Sequence, residues 1–269
     1  MIEPFQQSGQ LKLEITRWKK LNSRLRAGFS TRNGGVSTEP FHTLNLGLHV
    51  PDNQDNVVAN RKKLAEDIEI NLTSWVAGEQ IHKTNVQVVE NDDQGKGAEH
   101  YETSVQGTDG LITNQNGVLC IAAYADCVPL FFFDPSTGYT GIAHAGWKGT
   151  VHQIGKELTD TFKKLGTDVA ELLVVIGPCI SRDHYEVDEN VIKHIPKRYF
   201  DKVATPKANN HYLLDLKQLN VEILLEQGIL PENIDVTGYC TFTDESLFFS
   251  HRRDNGRTGR MLGYIGYTD

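Results

Sequence analysis

Short apolar runs and amphipathic stretches alternate along the chain. Three compact apolar runs, at residues 117–124, 128–133 and 171–176, have the length of strands and predict buried β-strands. Residues 55–67, which read DNVVANRKKLAED, are rich in helix-forming residues and predict a helix. A chain that contains both patterns must fold as a mixture of strands and helices.

Apolar residues at helical spacing predict two further helices. The first ends at Gly166, because glycine is typical of the position that follows a helix. Its apolar stripe consists of Val151, Ile154, Leu158, Phe162 and Leu165. The second covers 215–227, where Asp215 is a candidate N-cap and Gly228 a candidate end. Both helices are expected to cover a layer of strands.

The strands and helices do not follow a regular βαβ rhythm, which favours an α+β fold over a doubly wound parallel sheet. We expect mixed β-sheets flanked by helices, arranged as a layered α/β/β/α single domain over residues 1–269. No linker rich in Pro, Gly or Ser, no low-complexity tract and no internal repeat divides the sequence.

Charge and hydropathy narrow the classes of partner. A formal net charge of −8 and a pI near 5.7 disfavour a general nucleic-acid binder, because contacts to phosphates need surplus Lys and Arg. The first residues show no secretory signal, and the longest apolar runs are too short to span a bilayer. We therefore expect a soluble, cytoplasmic protein that binds small molecules, without nucleic-acid or membrane partners.

The cysteines do not form a recognisable local motif. The four are widely spaced, without a CxxC pair, which disfavours a zinc finger and a thioredoxin-type site. In a reducing cytosol they are expected to be thiols. They are Cys120, Cys127, Cys179 and Cys240.

Three segments place a metal-binding side chain beside a turn or at a strand end: GEQIHKTNV with His82, YADCVPL with Cys127 and GIAHAGWKG with His144. Two imidazoles and one thiolate suit zinc and leave a fourth tetrahedral position for water or substrate. The residues are 45 and 17 positions apart, too far for the local pairs of a structural finger. Spacing alone therefore leaves open that they are ordinary surface or core residues.

Eight ordered stretches between residues 29 and 265 carry a resemblance to a known family. They are FSTRNGGVS at 29–37, LNLGLHVPD at 44–52, QIHKTNV at 80–86, TDGLIT at 108–113, ADCVPLFFFDP at 125–135, HAGWKGT at 144–150, GPCISRDHYEV at 177–187 and CTFTDESLFFSHRRDNGRTGRMLGYI at 240–265. The chain resembles the YfiH-like, laccase-domain-containing family in these stretches. It departs from the common family pattern at Lys83 and Ser181, where glycine is frequent.

The resemblance implies an activity and a ligand set. Members of the family are described as purine nucleoside phosphorylases that also deaminate adenosine and cleave methylthioadenosine. The resemblance places their catalytic metal on His82, Cys127 and His144, with zinc as the expected ion and copper as the alternative. Purine nucleosides and phosphate are then the expected partners.

Polar side chains within these stretches are candidates for substrate binding. Phosphorolysis needs an anion site, and Arg32, Lys148 and Arg252 supply positive charge, although an arginine can equally serve a structural ion pair. Gln80 faces the same side as His82 if the segment is extended, and it can equally be a satisfied buried amide. Asn45 either contacts the ligand or caps a turn.

Three alternatives remain at this point. A copper-dependent, laccase-like polyphenol oxidase is one, although the ten histidines include no H-x-H pair of the multicopper type. A metal-free hydrolase with Cys127 as nucleophile and His144 or His82 as base is another. The third is a non-enzymatic nucleoside sensor, which would bind purines without turnover.

Overall fold

The computed structural model describes residues 2–269, in which short strands and helices are distributed over the whole length. The strands are β1 Gln6–Ser8, β2 Lys12–Glu14, β3 Leu25–Ser30, β4 Trp75–Ala77, β5 Val86–Val88, β6 Gly110–Thr113, β7 Leu119–Tyr124, β8 Val128–Phe133, β9 Thr140–Ala145, β10 Leu173–Ile176, β11 Glu186–Val187, β12 Ala204–Pro206, β13 Tyr212–Leu214, β14 Ile234–Val236 and β15 Met261–Tyr267. The helices are α1 Thr16–Leu21, α2 Gln54–Ile68, α3 Trp147–Val151, α4 Ile154–Lys164, α5 Glu189–Ile192, α6 Lys197–Val203 and α7 Leu216–Glu226.

Two six-stranded mixed sheets form the centre of the molecule. The first has the order β1-β2-β3-β15-β7-β4 and is antiparallel except for the pair β4 and β7. The second has the order β14-β10-β8-β9-β6-β5, with parallel pairs only at its two edges. Strands β11, β13 and β12 form a small third sheet.

The apolar core lies in three layers around these sheets. Phe29 and Phe131 belong to the buried cluster between the two sheets. A second cluster joins the outer face of the second sheet to helices α4 and α7, through residues such as Leu158 and Ile223. A third packs α2, through residues such as Leu64, against the first sheet. The predicted α+β fold with α/β/β/α layering is confirmed, and the single domain over 1–269 stays a prediction.

The predicted helices agree with the structure except at one point. Helix α2 lies where 55–67 predicted it, and α7 begins after Asp215, whose carboxylate accepts a hydrogen bond from the Gln218 N–H at 2.9 Å. The stripe from 151 to 165 is divided between α3 and α4. The break occurs at Gln153, which has a left-handed backbone (φ 68°).

The predicted apolar runs form strands that are buried on both faces. All six residues of β7 and all six of β8 are buried, which explains why these runs show no alternation of polar and apolar residues. Among residues 2–269, no helix combines the length and the apolarity that crossing a bilayer requires.

Candidate metal centre

Strand pairing brings two of the three candidate ligands together. His144 lies near the end of β9, opposite Pro129 of β8, and Cys127 immediately precedes β8. His82 comes from the loop between β4 and β5. One ligand atom from each of the three side chains lies within 4.8 Å of the other two. The structure therefore assembles the set that the sequence analysis singled out into a possible metal site.

The Asp109 carboxylate connects both sides of this site. Its Oδ1 lies 3.0 Å from His144 Nδ1 and also accepts a hydrogen bond from the His82 N–H at 3.0 Å. Its Oδ2 accepts from the N–H groups of Ile81 at 3.1 Å and Lys83 at 2.9 Å. A proton on Nδ1 of His144 leaves Nε2 free as the ligand atom, the usual arrangement behind a metal-binding histidine.

The loop that carries His82 is strongly curved. Gln80 and His82 both have a left-handed backbone, with φ near 59°. The Gln80 amide donates to the Ala123 carbonyl at 2.9 Å and accepts from the Ala123 N–H at 2.7 Å, which ties the loop to β7. The premise that 80–82 is extended is therefore wrong. The substrate-binding role of Gln80 stays a prediction. Both ends of its side-chain amide are already hydrogen-bonded to the backbone of Ala123.

Charge coupling favours an ionised thiol at this site. Burial alone raises the pKa of Cys127, but the charge of His144 and hydrogen bonds from His144 and His82 outweigh it and lower that pKa. Burial lowers the pKa of His144, and the opposing effects of Cys127 and Asp109 raise it. A thiolate is the form of cysteine that binds metal ions.

Gly146 leaves space beside the ligands. A Cβ atom at this position would lie 3.0 Å from Cys127 Sγ and 3.1 Å from His82 Cδ2. Its φ of −64° is ordinary for any residue, so contact rather than backbone conformation excludes a side chain here. The donor set, its orientation by Asp109 and the space at Gly146 all fit a bound transition-metal ion.

The site opens into a cleft of about 550 Å³ that all three ligands line. Three aromatic side chains line this cleft, namely Tyr101, Trp147 and Tyr185. Basic and acidic side chains also line it, namely His49, Glu79, Asp126, Lys148, His251, Arg252 and Arg260. The cleft is large enough for a small organic ligand.

Two of the predicted cationic substrate contacts, Lys148 and Arg252, line the cleft and are exposed. Lys148 Nζ lies 5.6 Å from the centre of the Trp147 ring. Arg252 lies over the Tyr185 ring and donates to the Glu186 carbonyl at 2.8 Å. The placement of Lys148 and Arg252 at the cleft is compatible with substrate binding, which stays a prediction for both residues.

Arg32 and Asn45 are not among the residues that line the cleft. The Arg32 guanidinium lies 4.6 Å from the Phe249 ring centre and donates to the carbonyls of His42 and Glu245. Asn45 is fully buried and hydrogen bonds within the protein at both ends of its amide. Direct substrate contact by either residue stays a prediction without support from its position.

The sequence analysis missed three residues of the site: His49, Asp109 and Arg260. Each lies inside a quoted stretch, at LNLGLHVPD, TDGLIT and GRTGRMLGYI respectively. Asp109 could not be predicted from the sequence because an aspartate before a strand is common. Its contacts to His144 arise only from the pairing of β6 with β9. Arg260 was indistinguishable by type from its arginine neighbours.

Fold and site together define a class of protein: two stacked mixed sheets between helical layers, with a His–Cys–His centre opening into a cleft. The family model described as multi-copper polyphenol oxidoreductase laccase matches residues 26–268. The chain belongs to this YfiH-like, laccase-domain-containing family.

Relatives and solved structures extend the similarity over the whole chain. The chain is 45% identical over 270 residues to purine nucleoside phosphorylase YlmD of Bacillus subtilis, covering 98% of this chain and 97% of the relative. It is 34% identical to purine nucleoside phosphorylase SERP0752 of Staphylococcus epidermidis, over 90% of this chain and 91% of the relative. The crystal structure of the hypothetical protein YfiH from Bacillus licheniformis superposes with a TM-score of 0.95 at 40% identity, covering 99% and 100% of the two chains. That of YlmD from Geobacillus stearothermophilus gives 0.95 at 39% identity, with both chains fully covered.

Proposed function

We propose that this protein is a purine nucleoside phosphorylase that cleaves adenosine, inosine and methylthioadenosine, with zinc-dependent adenosine deaminase activity at the same site. The observation that carries the proposal is the convergence of His82, Cys127 and His144 at one wall of a nucleoside-sized cleft. The names of the relatives support the phosphorylase assignment. Zinc is favoured as the ion because two imidazoles and a thiolate with an open position form a common catalytic zinc set.

Phosphorolysis exchanges one bond at the sugar. A phosphate oxygen forms a bond to C1′ of the ribose while the bond from C1′ to the purine nitrogen breaks, and the bonding electron pair leaves with the purine. The proton of hydrogen phosphate passes to the purine, so that the products are the free base and ribose 1-phosphate, or its methylthio analogue. Deamination of adenosine instead consumes water and releases ammonia and inosine.

The residues of the cleft supply binding and orientation for these reactions. Trp147 and Tyr185 line the cleft with aromatic side chains, which suit packing against a purine. Lys148 and Arg252 place positive charge at the mouth, where phosphate enters. Asp109 fixes the orientation of His144. A zinc ion, when bound, supplies Lewis acidity and lowers the pKa of coordinated water to about 7.

Product analysis tests the proposed function. Zinc-loaded protein is incubated with inosine, adenosine or methylthioadenosine, with and without phosphate, and the products are separated by chromatography. We expect free base and the sugar 1-phosphate only when phosphate is present, and inosine from adenosine in its absence. No sugar phosphate from zinc-loaded protein would refute the phosphorylase assignment.

Matched histidine variants connect that activity to the metal centre. His82→Gln removes a ligand, whereas His152→Gln changes an exposed histidine that does not line the cleft. We expect the first to lose product formation and bound zinc together, and the second to retain both. Equal activity of the two variants would separate catalysis from the His–Cys–His cluster.

The coupling of Cys127 to His144 also suits a thiol nucleophile, so a metal-free cysteine hydrolase is the second candidate. The two candidates differ in the effect of chelation. Zinc catalysis predicts loss of turnover on chelation and recovery with zinc. A thiol nucleophile predicts a covalent adduct on Cys127 in metal-free protein, detectable by intact-mass spectrometry. Copper-loaded protein that oxidises a phenol with oxygen would instead support the laccase-like alternative.

A further inference from the structure

Arg260 brings to the cleft a cation that has no ion-pair partner. It forms no ion pair with any carboxylate in residues 2–269. Its Nη1 donates to the carbonyls of Thr258 at 2.8 Å and Gly259 at 3.0 Å. Within the same range, Nε and Nη2 have no hydrogen-bond partner. This free edge of a guanidinium is the one that binds two oxygens of a phosphate or carboxylate at once.

The backbone around Arg260 is held by Asn45. Asn45 Oδ1 accepts from the Arg260 N–H at 2.9 Å and the Gly47 N–H at 3.1 Å, while Nδ2 donates to Asp52 at 2.9 Å. The aliphatic stem of Arg260 crosses Gly47 so closely that a Cβ there would lie 2.7 Å from Arg260 Cγ. The guanidinium is therefore positioned before any ligand arrives.

The surroundings of Arg260 favour an incoming anion. Burial lowers its pKa, against the opposing charges of Cys127 and Asp126. The Asp126 carboxylate already accepts from Thr241, Ser250 and the Arg252 N–H. A desolvated cation without a hydrogen-bonded carboxylate is unfavourable, and an anion at its free edge offsets that cost.

A second cation, Arg61, is fully buried and reinforces the positive potential. Arg61 donates to the backbone carbonyls of Leu46, Gly97 and Ala98 and pairs with no carboxylate among the described residues. Burial lowers its pKa to about 9. His49 lines the cleft together with Arg260, and desolvation, followed by the charges of Arg260 and Arg61, lowers its pKa. The two arginines concentrate positive charge in a protein with a net charge of −8.

We infer that Arg260 anchors the attacking phosphate, through hydrogen bonds from its free Nε and Nη2 to two phosphate oxygens. This inference rests on the proposed phosphorolysis and adds a binding residue for its second substrate. Arg252 and Lys148 lie exposed at the cleft, and Arg252 already donates to the Glu186 carbonyl. Arg252 and Lys148 are therefore positioned to attract phosphate into the cleft, whereas Arg260 is positioned to bind it in one orientation.

Phosphate binding in Arg260 variants tests the inference. Arg260→Gln removes the positive charge. Arg260→Lys keeps the charge but loses the bidentate hydrogen bonding that Nε and Nη2 of the guanidinium provide. Arg257→Gln is the matched control, because Arg257 is an exposed arginine of the same segment that does not line the cleft. Titration calorimetry with inorganic phosphate gives the Kd for each zinc-loaded protein, and base release gives the KM for phosphate and for inosine.

We expect Arg260→Gln to raise the Kd and KM for phosphate by about 10- to 100-fold. Its KM for inosine should change far less, and Arg257→Gln should match the wild type. Arg260→Lys should lie between these, and it provides the comparison if Arg260→Gln does not fold by circular dichroism. Unchanged phosphate affinity in both Arg260 variants, or a wild-type protein that binds no phosphate, would overturn the inference.

The two proposals can fail separately. A wild-type protein that binds phosphate through Arg260 but releases no base from any nucleoside supports the anion site and contradicts the phosphorylase assignment. A wild-type protein that releases base in a phosphate-dependent reaction, with an unaltered phosphate KM in both Arg260 variants, supports the assignment and contradicts the anion site.

Discussion

Asp109 holds the two histidines of the metal centre in one arrangement. It accepts from His144 Nδ1 and from three successive N–H groups at residues 81–83, so its two oxygens serve four donors. Burial raises its pKa, but the His144 hydrogen bond and the backbone N–H groups outweigh this effect and lower it. The ionised acceptor-only form is the one these contacts require.

Replacement of this carboxylate should weaken metal binding. An asparagine side chain has one acceptor oxygen, so Asp109→Asn leaves at least one N–H without its partner and loosens His82 or His144. We expect about 10- to 100-fold lower zinc affinity, measured by competition with a chromophoric chelator. Asp183→Asn, at an exposed aspartate outside the cleft, is the control. Equal affinities for the two variants would show that Asp109 does not orient the ligands.

Gly146 provides a second test at the residue scale. Gly146→Ala places a methyl group against Cys127 and His82 without straining the backbone. We expect reduced zinc content by elemental analysis with a melting temperature of the metal-free protein close to that of the metal-free wild type. Gly238→Ala, whose Cβ makes only ordinary contact with Glu3, should retain zinc. Full zinc occupancy in Gly146→Ala would contradict a site in which these side chains converge on one ion.

Residue type indicated the candidate ligands of the site but not the residues that position them. His82, Cys127 and His144 stood out because few side chains bind zinc, and the resemblance gave their common role. Asp109 and Arg260 act through geometry that only the pairing of β6 with β9 and the passage over Gly47 create. A sequence pattern cannot distinguish them from the other aspartates and arginines of the chain.

At the scale of elements, Arg61 fastens α2 to two loops. The guanidinium donates to the carbonyls of Leu46, Gly97 and Ala98, which belong to these two loops. Arg61 is 3% exposed, so water does not replace these hydrogen bonds if the side chain is lost. The arginine therefore has a structural role in addition to its charge.

Removal of these hydrogen bonds should destabilise the fold. We expect Arg61→Leu to lower the free energy of unfolding by about 2–4 kcal/mol, because buried carbonyls lose their donors. Urea denaturation followed by circular dichroism measures the change. Lys62→Met, at the exposed neighbouring position, should change it by less than about 1 kcal/mol. If Arg61→Leu also changed the free energy of unfolding by less than about 1 kcal/mol, the hydrogen bonds of Arg61 would not stabilise these loops.

Helix positions were predictable from sequence, and the helix break was not. The sequence indicates α2, the start of α7 and the ends of α4 and α7 directly, because helix-forming residues, the Asp215 cap and the glycines after the helices depend on local chemistry. The break at Gln153 has no such signal, since glutamine is neither a typical cap nor a typical left-handed residue. It allows α3 to follow β9, the strand that carries His144, while α4 packs on the second sheet.

At the scale of the whole molecule, the layering could be predicted and the strand order could not. Continuous apolar runs indicated strands buried on both faces, which two stacked sheets between helices provide. The pairing of β15 with both β3 and β7 joins the C-terminal segment to distant parts of the chain. Such pairing depends on tertiary packing, which periodicity does not encode.

Metal binding should stabilise the folded molecule as a whole. The three ligands come from distant segments, so an ion that binds only the folded form raises the free energy of unfolding by about 3 kcal/mol at a free concentration of 100 times its Kd. We expect chelation to lower the melting temperature by about 5–10 °C in scanning calorimetry, and zinc to restore it. Cys127→Ser should show a much smaller zinc-dependent shift, and a shift equal to that of the wild type would place the stabilising ion elsewhere.

X-ray absorption at the zinc edge of the stoichiometrically loaded protein tests the central claim most directly. The account predicts one sulfur ligand at about 2.3 Å and two imidazole nitrogens at about 2.0–2.1 Å, with the sulfur signal absent in Cys127→Ser. A wild-type spectrum without a sulfur ligand, or one that Cys127→Ser leaves unchanged, would contradict a metal centre built from His82, Cys127 and His144.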